Sequence, residues 1–173
     1  MNKVLLAYWP QQGNVEQVAG KISEKLNNLT VVAKTIDTVT SQDLQDADNW
    51  IIGGSTVGSH VWMDADDTNR WNDFFKLLDT VDLKSKVVAF YGLGDQILYP
   101  HHFVDGLGIF QEEFEKRNAN IVGRWPIEGY SFYDSEGMID KKFYGLALDE
   151  DQEPEHTDTR LEKWLEQIKP DFK

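Results

Sequence analysis

Short apolar runs alternate with amphipathic stretches along this chain. Val4 to Tyr8 is a continuous apolar run, too short for a helix and long enough for a strand buried on both faces. Pro10 and Gly13 break it. From Val15 the period changes: Val15, Val18, Ala19, Ile22 and Leu26 share one face of a helix, with Asn14 as its expected cap and Glu16 in its first turn. Leu29 to Ile36 reads as a second strand. Asp37 to Asp48 is polar and turn-rich, with one short helical turn around Leu44. Trp50 to Gly54 is a third buried strand ending on glycines.

Ser55 to Asp67 reads as a long loop carrying aromatic and apolar side chains, a length that in compact domains usually signals function. Trp71, Phe74, Phe75 and Leu78 predict a helix capped by Asp67 or Thr68. Lys86 to Tyr91 is a fourth strand that runs into a second glycine-bearing loop, 92–100. Phe103, Leu107, Phe110 and Phe114 mark another helix, and Ala119 to Arg124 a fifth strand. Gly129 to Lys142 is irregular, and Phe143 to Leu148 is a further short apolar run. Leu161, Trp164, Leu165 and Ile168 close the chain on a helix, with Thr159 and Glu162 as its expected capping box. Alternating strands and helices predict an open parallel sheet with helices on both faces. With 173 residues, no repeat and no linker, one domain over 1–173 is expected.

In such sheets ligands bind outside the carboxyl ends of the strands, where loops 9–14, 55–67 and 92–100 lie. The first offers backbone N–H groups and a positive helix end, which suit an anion such as a phosphate or serve as an ordinary connection. The second offers His60 and Trp62, the third Asp95 and Tyr99. Aromatic side chains beside a phosphate cradle suit a planar ring on a phosphorylated tail. Asp95 either accepts from a ring N–H or caps a turn.

Composition narrows the chemistry. The chain has no cysteine, which excludes disulfides and thiolate chemistry. Its histidines are His60, His101, His102 and His156, and none form the i, i+4 pair of a helical metal site, so no metal is expected. Seventeen basic against thirty acidic residues give a net charge of −13. That charge disfavours nucleic acid and suits either a basic protein partner or plain solubility. No apolar run reaches the ~20 residues of a membrane span, and polar residues return by Gln11, so neither membrane nor signal segment is expected. The expected setting is a cytoplasmic monomer.

Four stretches carry a resemblance: Trp50-Ile51-Ile52-Gly53, Gly92-Leu93-Gly94-Asp95-Gln96, Trp125-Pro126-Ile127-Glu128-Gly129-Tyr130 and Gly145-Leu146-Ala147-Leu148-Asp149-Glu150-Asp151. In this order the chain resembles a flavodoxin of the long-chain type over essentially its whole length. The segment 129–142 falls where long-chain members carry an insertion in the last strand. The resemblance implies an open five-stranded flavodoxin-like sheet with its last strand interrupted. It also implies FMN and low-potential, single-electron transfer between redox proteins. No catalytic acid or base is implied.

In the family the first loop reads Thr-x-Thr-Gly-x-Thr and binds the FMN phosphate. Here those positions are Pro10, Gln11, Gln12, Gly13, Asn14 and Val15, so the three threonines are replaced while the glycine remains. Tyr99 falls on the family's flavin-stacking tyrosine and Asp95 on the residue near the pyrimidine ring, with Leu93 and Gly94 beside them. His102 and Asp151 fall on further positions near the cofactor. In the second loop, Ser55, Thr56, Val57 and Gly58 are expected against the flavin, with Gly58 where a peptide would turn on reduction. Where the family often has Thr-Trp, this chain has Thr56-Val57, which leaves Trp62 either as the inner stacking partner or packed on the core. Two alternatives remain: an FMN quinone reductase whose pocket the long loop lines, and a flavodoxin-like module with weak or lost FMN binding.

Overall fold

The computed structural model describes residues 3–57 and 70–173. Strand β1 (Lys3–Trp9) leads through a tight loop into helix α1 (Asn14–Lys25), followed by β2 (Thr30–Thr35), α2 (Ser41–Asp46), β3 (Asn49–Gly54), α3 (Trp71–Leu78) and β4 (Val87–Leu93). Then come α4 (Gly106–Glu115), β5 (Asn120–Val122), β6 (Trp125–Pro126), β7 (Met138–Ile139), β8 (Lys142–Phe143), β9 (Leu146–Leu148) and α5 (Thr157–Ile168).

The main sheet is parallel, in the order β2-β1-β3-β4-β5, and β9 also pairs with β4. The last strand position is therefore split. β5 covers Val87–Ala89 of β4, and β9 covers Tyr91–Leu93. Between them the chain leaves the sheet and forms a small antiparallel sheet, β6-β8-β7. The segment expected to be irregular thus contains β7 and supports its own hairpin pairing.

Period-two alternation divides the strands between two cores. Leu5, Ala7, Trp50, Ile52, Val88 and Phe90 face α3 and α4. Val4, Leu6, Ile51, Ala89, Tyr91 and Leu93 face α1 and α5. Each large apolar side chain so buried contributes about 1.5–3 kcal/mol, which is why the apolar faces of these helices are legible in the sequence. No helix among the described residues is long and apolar enough to cross a membrane.

The helix caps differ from expectation at two places. Gly13, not Asn14, is the N-cap of α1: its extended backbone lets its carbonyl accept from Gln17 N (3.1 Å), which places Asn14 inside the first turn. At α5, Pro154 opens a 3-10 turn that runs straight into the helix at Thr157, so Thr159 and Glu162 are interior residues and form no capping box. Arg70 precedes α3 in helical conformation, and the expected caps Asp67 and Thr68 lie outside the described residues. The short turn around Leu44 is a true helix, because Thr40 and Asp43 cap it reciprocally.

Candidate functional site

The carboxyl ends of β1, β3 and β4 open into one cleft of about 840 Å³, within the usual range of roughly 300–1,000 Å³ for small-molecule sites. It brings together twelve of the residues expected from the sequence: Pro10, Asn14 and Val15; Ser55, Thr56 and Val57; Leu93, Gly94, Asp95, Tyr99 and His102; and Asp151. Gln11, Gln12 and Gly13 belong to the same first loop but do not line the cleft. Gly58 and Trp62, with His60, lie outside the described residues.

The first loop is held from three sides. Gln12 stands in the left-handed region at φ 64°, and its N–H donates to Glu16 Oε2 (2.8 Å). Tyr8 Oη donates to the other oxygen, Glu16 Oε1 (2.9 Å), and burial followed by this acidic partner pushes the Tyr8 hydroxyl up to about 12. From β4, Tyr91 Oη donates to the Val15 carbonyl (3.0 Å). Gly53 makes that reach possible, because a Cβ there would lie 1.8 Å from the Tyr91 ring. What the loop leaves open is a set of donors. Among the described residues nothing accepts from the N–H groups of Gly13, Asn14 or Val15. The Ser55 and Thr56 hydroxyls, on the neighbouring strand end, are likewise uncommitted among the described residues. This end of the cleft suits an anion.

The opposite end is apolar and aromatic on one side and acidic around it. Val57 packs in close because Gly106 has no side chain; a Cβ there would sit 2.8 Å from Val57 Cγ2. Tyr99 is 63% exposed at the cleft's mouth, beside the exposed Ile97 and Leu98. Its N–H donates to the Asp95 carbonyl (2.9 Å). The Asp95 carboxylate caps its own turn: Oδ1 accepts from Ile97 N (3.0 Å) and Leu98 N (2.9 Å), and Gln152 Nε2 donates to both oxygens. The Leu98 N–H, with Gln152 and Ile97, holds this carboxyl below the usual carboxylate range despite burial. His102 Nδ1 lies 2.9 Å from Asp105 Oδ2, and Asp105 Oδ1 accepts from Glu136 N (2.8 Å) of the inserted segment. Asp151 is exposed on the far rim, next to Glu150, which accepts from the Thr157 hydroxyl.

Sequence reasoning missed several residues of this arrangement. Asp105, Glu136, Glu150, Val104, Gly106 and Ile109 also line the cleft. Tyr8, Glu16, Tyr91, Asp149 and Gln152 hold its loops. Only Glu16, beside the loop, carried a local signal, as an acidic residue in a first helical turn. Among the described lining residues no lysine or arginine appears, while Asp95, Asp105, Glu136, Glu150 and Asp151 are acidic.

An open parallel sheet with one cleft at its carboxyl edge, an uncommitted donor cluster at one end and an aromatic mouth at the other, defines a binding protein for a planar, anion-bearing ligand. The comparisons agree with this class. The flavodoxin family model matches residues 6–164. The flavodoxin of Nostoc sp. is 37% identical over 170 residues, covering 98% of this chain and 97% of its own. Flavodoxin 1 of Escherichia coli strain K12 is 39% identical over 157 residues, covering 90% and 86%. Among solved structures, the Fusobacterium nucleatum flavodoxin bound to flavin mononucleotide superposes with a TM-score of 0.86 at 25% identity, covering 100% of both chains. The chain belongs to the flavodoxin family.

Proposed function

We propose that this protein is an FMN-binding electron carrier that shuttles single electrons between redox proteins. The observation that carries the reading is the cleft itself: the N–H groups of Asn14 and Val15, uncommitted among the described residues, at one end, Tyr99 at the other, in a chain of the flavodoxin family. The residues present fit the cofactor. The Asn14 and Val15 N–H groups, with the Ser55 and Thr56 hydroxyls, suit its phosphate and the start of its tail. Val57 supplies an apolar wall and Tyr99 a flat aromatic surface for the ring.

Bound FMN supplies the one-electron chemistry, and the protein's part is to bind, orient and tune it. The acidic wall disfavours the arrival of negative charge, which keeps the potential low. The flavodoxin relatives support a carrier and not an enzyme, with no side chain asked to act as a general acid or base. His102 and Asp151 stand at the cleft edge beside the ring end. Gly58 and Trp62, from the second loop, complete the assignment carried by the resemblance. With a net charge of −13, the redox partners present basic surfaces, and the protein works as a cytoplasmic monomer.

The first loop is less generous than the family pattern implies. Pro10 has no N–H, Val15 no hydroxyl, and the Gln12 N–H is committed to Glu16. FMN is therefore held mainly by backbone donors. Reconstitution tests the proposal: apoprotein mixed with FMN should take up one equivalent and show flavin absorbance. The loaded protein should pass electrons from a flavodoxin reductase to an acceptor. Protein that stays colourless with excess FMN refutes it, and supports instead a module that has lost the cofactor. Turnover of a quinone by nicotinamide without a reductase refutes the carrier role.

A further inference from the structure

We propose that Asp149 and Gln152 are positioning residues that clasp the two turns at the ring end of the cleft, so that Tyr99 and Asp95 are set as one unit with the 149–152 turn. The inference rests on the reading of this cleft as an FMN site.

The two turns start from paired strands. Leu93 of β4 and Leu148 of β9 are register partners, and Gly94 N donates to the Leu148 carbonyl (3.0 Å). Each strand then runs into a turn capped by its own aspartate. Asp95 Oδ1 accepts from Ile97 and Leu98 N, while Asp149 Oδ1 accepts from Asp151 N (3.2 Å) and Gln152 N (2.9 Å). The remaining capacity of each carboxylate crosses to the other turn. Asp149 Oδ2 accepts from Gln96 N (3.1 Å), and Gln152 Nε2 donates to both Asp95 oxygens (3.1 and 3.2 Å).

The carboxylates of the clasp are shielded from water, which makes it costly to open. Asp149 is 0% exposed, Gln96 2% and Asp95 7%. Separating the turns would strip donors from two largely buried carboxylates, and unpaired buried charge is expensive. Gln96 ties the same unit to the inserted segment, its side-chain oxygen accepting from Ser131 N. Tyr99 belongs to it through its N–H bond to the Asp95 carbonyl. Gln152 is itself exposed and does not line the cleft. It acts on the site only through Asp95. A binding constellation has to be held to about half an ångström, and this is the work a clasp of rigid hydrogen bonds performs.

Two variants test it. Gln152→Met removes the amide donor at an exposed position, and Gln152→Lys restores a donor of similar reach. In the apoprotein, amide exchange at Ile97 and Leu98, on the opposite turn, should accelerate about tenfold in Gln152→Met and return toward wild type in Gln152→Lys. The thermal midpoint should hardly move. In the loaded protein, affinity for FMN and for riboflavin should fall by the same factor, about tenfold, with a shift in the visible spectrum of the bound flavin. Unchanged exchange at Ile97 and Leu98 overturns the clasp. Faster exchange with unchanged affinity and spectrum overturns the positioning role. A wild-type protein that takes up no flavin overturns the FMN reading, and the exchange result then judges the clasp alone.

Discussion

Replacing Tyr99 by alanine should separate binding from folding. Tyr99 is 63% exposed, so little of the protein's own packing depends on its ring. Surface substitutions of this kind usually fall within about 0.5 kcal/mol of wild-type stability. An aromatic side chain brings roughly 150–250 Å² to a contact. Covering one face of it, about 80 Å² at about 25 cal/mol per Å², is worth about 2 kcal/mol. Base–aromatic stacking in nucleic-acid sites, at about 1–3 kcal/mol by truncation, brackets the same value. The expected loss in FMN affinity is therefore about thirtyfold. Tyr99→Phe keeps the flat face and should bind nearly as well as wild type. The assay is quenching of flavin fluorescence on titration into apoprotein, with thermal unfolding run in parallel. An alanine variant that binds FMN as tightly as wild type would refute the assignment of this face to the ring.

Four further outcomes are expected. Val15 is 3% exposed yet reaches the cleft, so Val15→Thr should tighten FMN about tenfold by adding a hydroxyl beside the open N–H groups, read by the same titration. Gln12→Thr should bring no such gain, because a β-branched residue is strained at φ 64°. Electron transfer from a basic reductase should slow as salt rises, since the −13 charge steers the encounter; stopped-flow rates flat across ionic strength would count against steering. Burial raises the Asp43 carboxyl, but Lys34 at 2.7 Å and Thr40 outweigh it and hold it at about 2. A depressed carboxylate stabilises the fold above its unfolded value of 3.8 and loses that contribution as pH falls toward 2, about 2 kcal/mol in all. Acid unfolding of Lys34→Met should show a smaller loss between pH 4 and 2, the share that the Thr40 hydrogen bonds retain.

Much of the fold was legible because burial on two faces leaves a simple trace. β1, β3 and β4 read as unbroken apolar runs, and α1 and α3 as single apolar faces, since each element meets a core on a fixed period. The divided last strand was legible only through the resemblance, because β5 and β9 have three residues each and too little pattern to be read alone. Helix ends were the weakest part of the reading. At Gly13 and at Pro154 the backbone geometry of the preceding turn, not the nearest polar side chain, decided where the helix begins.

The same division runs through the site. Pro10, Ser55, Leu93 and Tyr99 could be named from the sequence because each follows the end of a strand or its glycines, and open parallel sheets gather their strand ends at one edge. How those loops are held could not be named. Glu16 takes the Gln12 N–H, Tyr91 crosses from β4 to the Val15 carbonyl over Gly53, and Asp95 and Asp149 exchange partners across 53 residues or more of chain. The order of elements, the faces they bury and the chemistry available at the strand ends follow from local periodicity and residue type, and so can be read along the chain. Which donors stay open to a ligand, and which are consumed by the protein's own carboxylates, is set by the folded chain: hydrogen bonds between residues distant in sequence depend on relative position in space, and no local pattern encodes it.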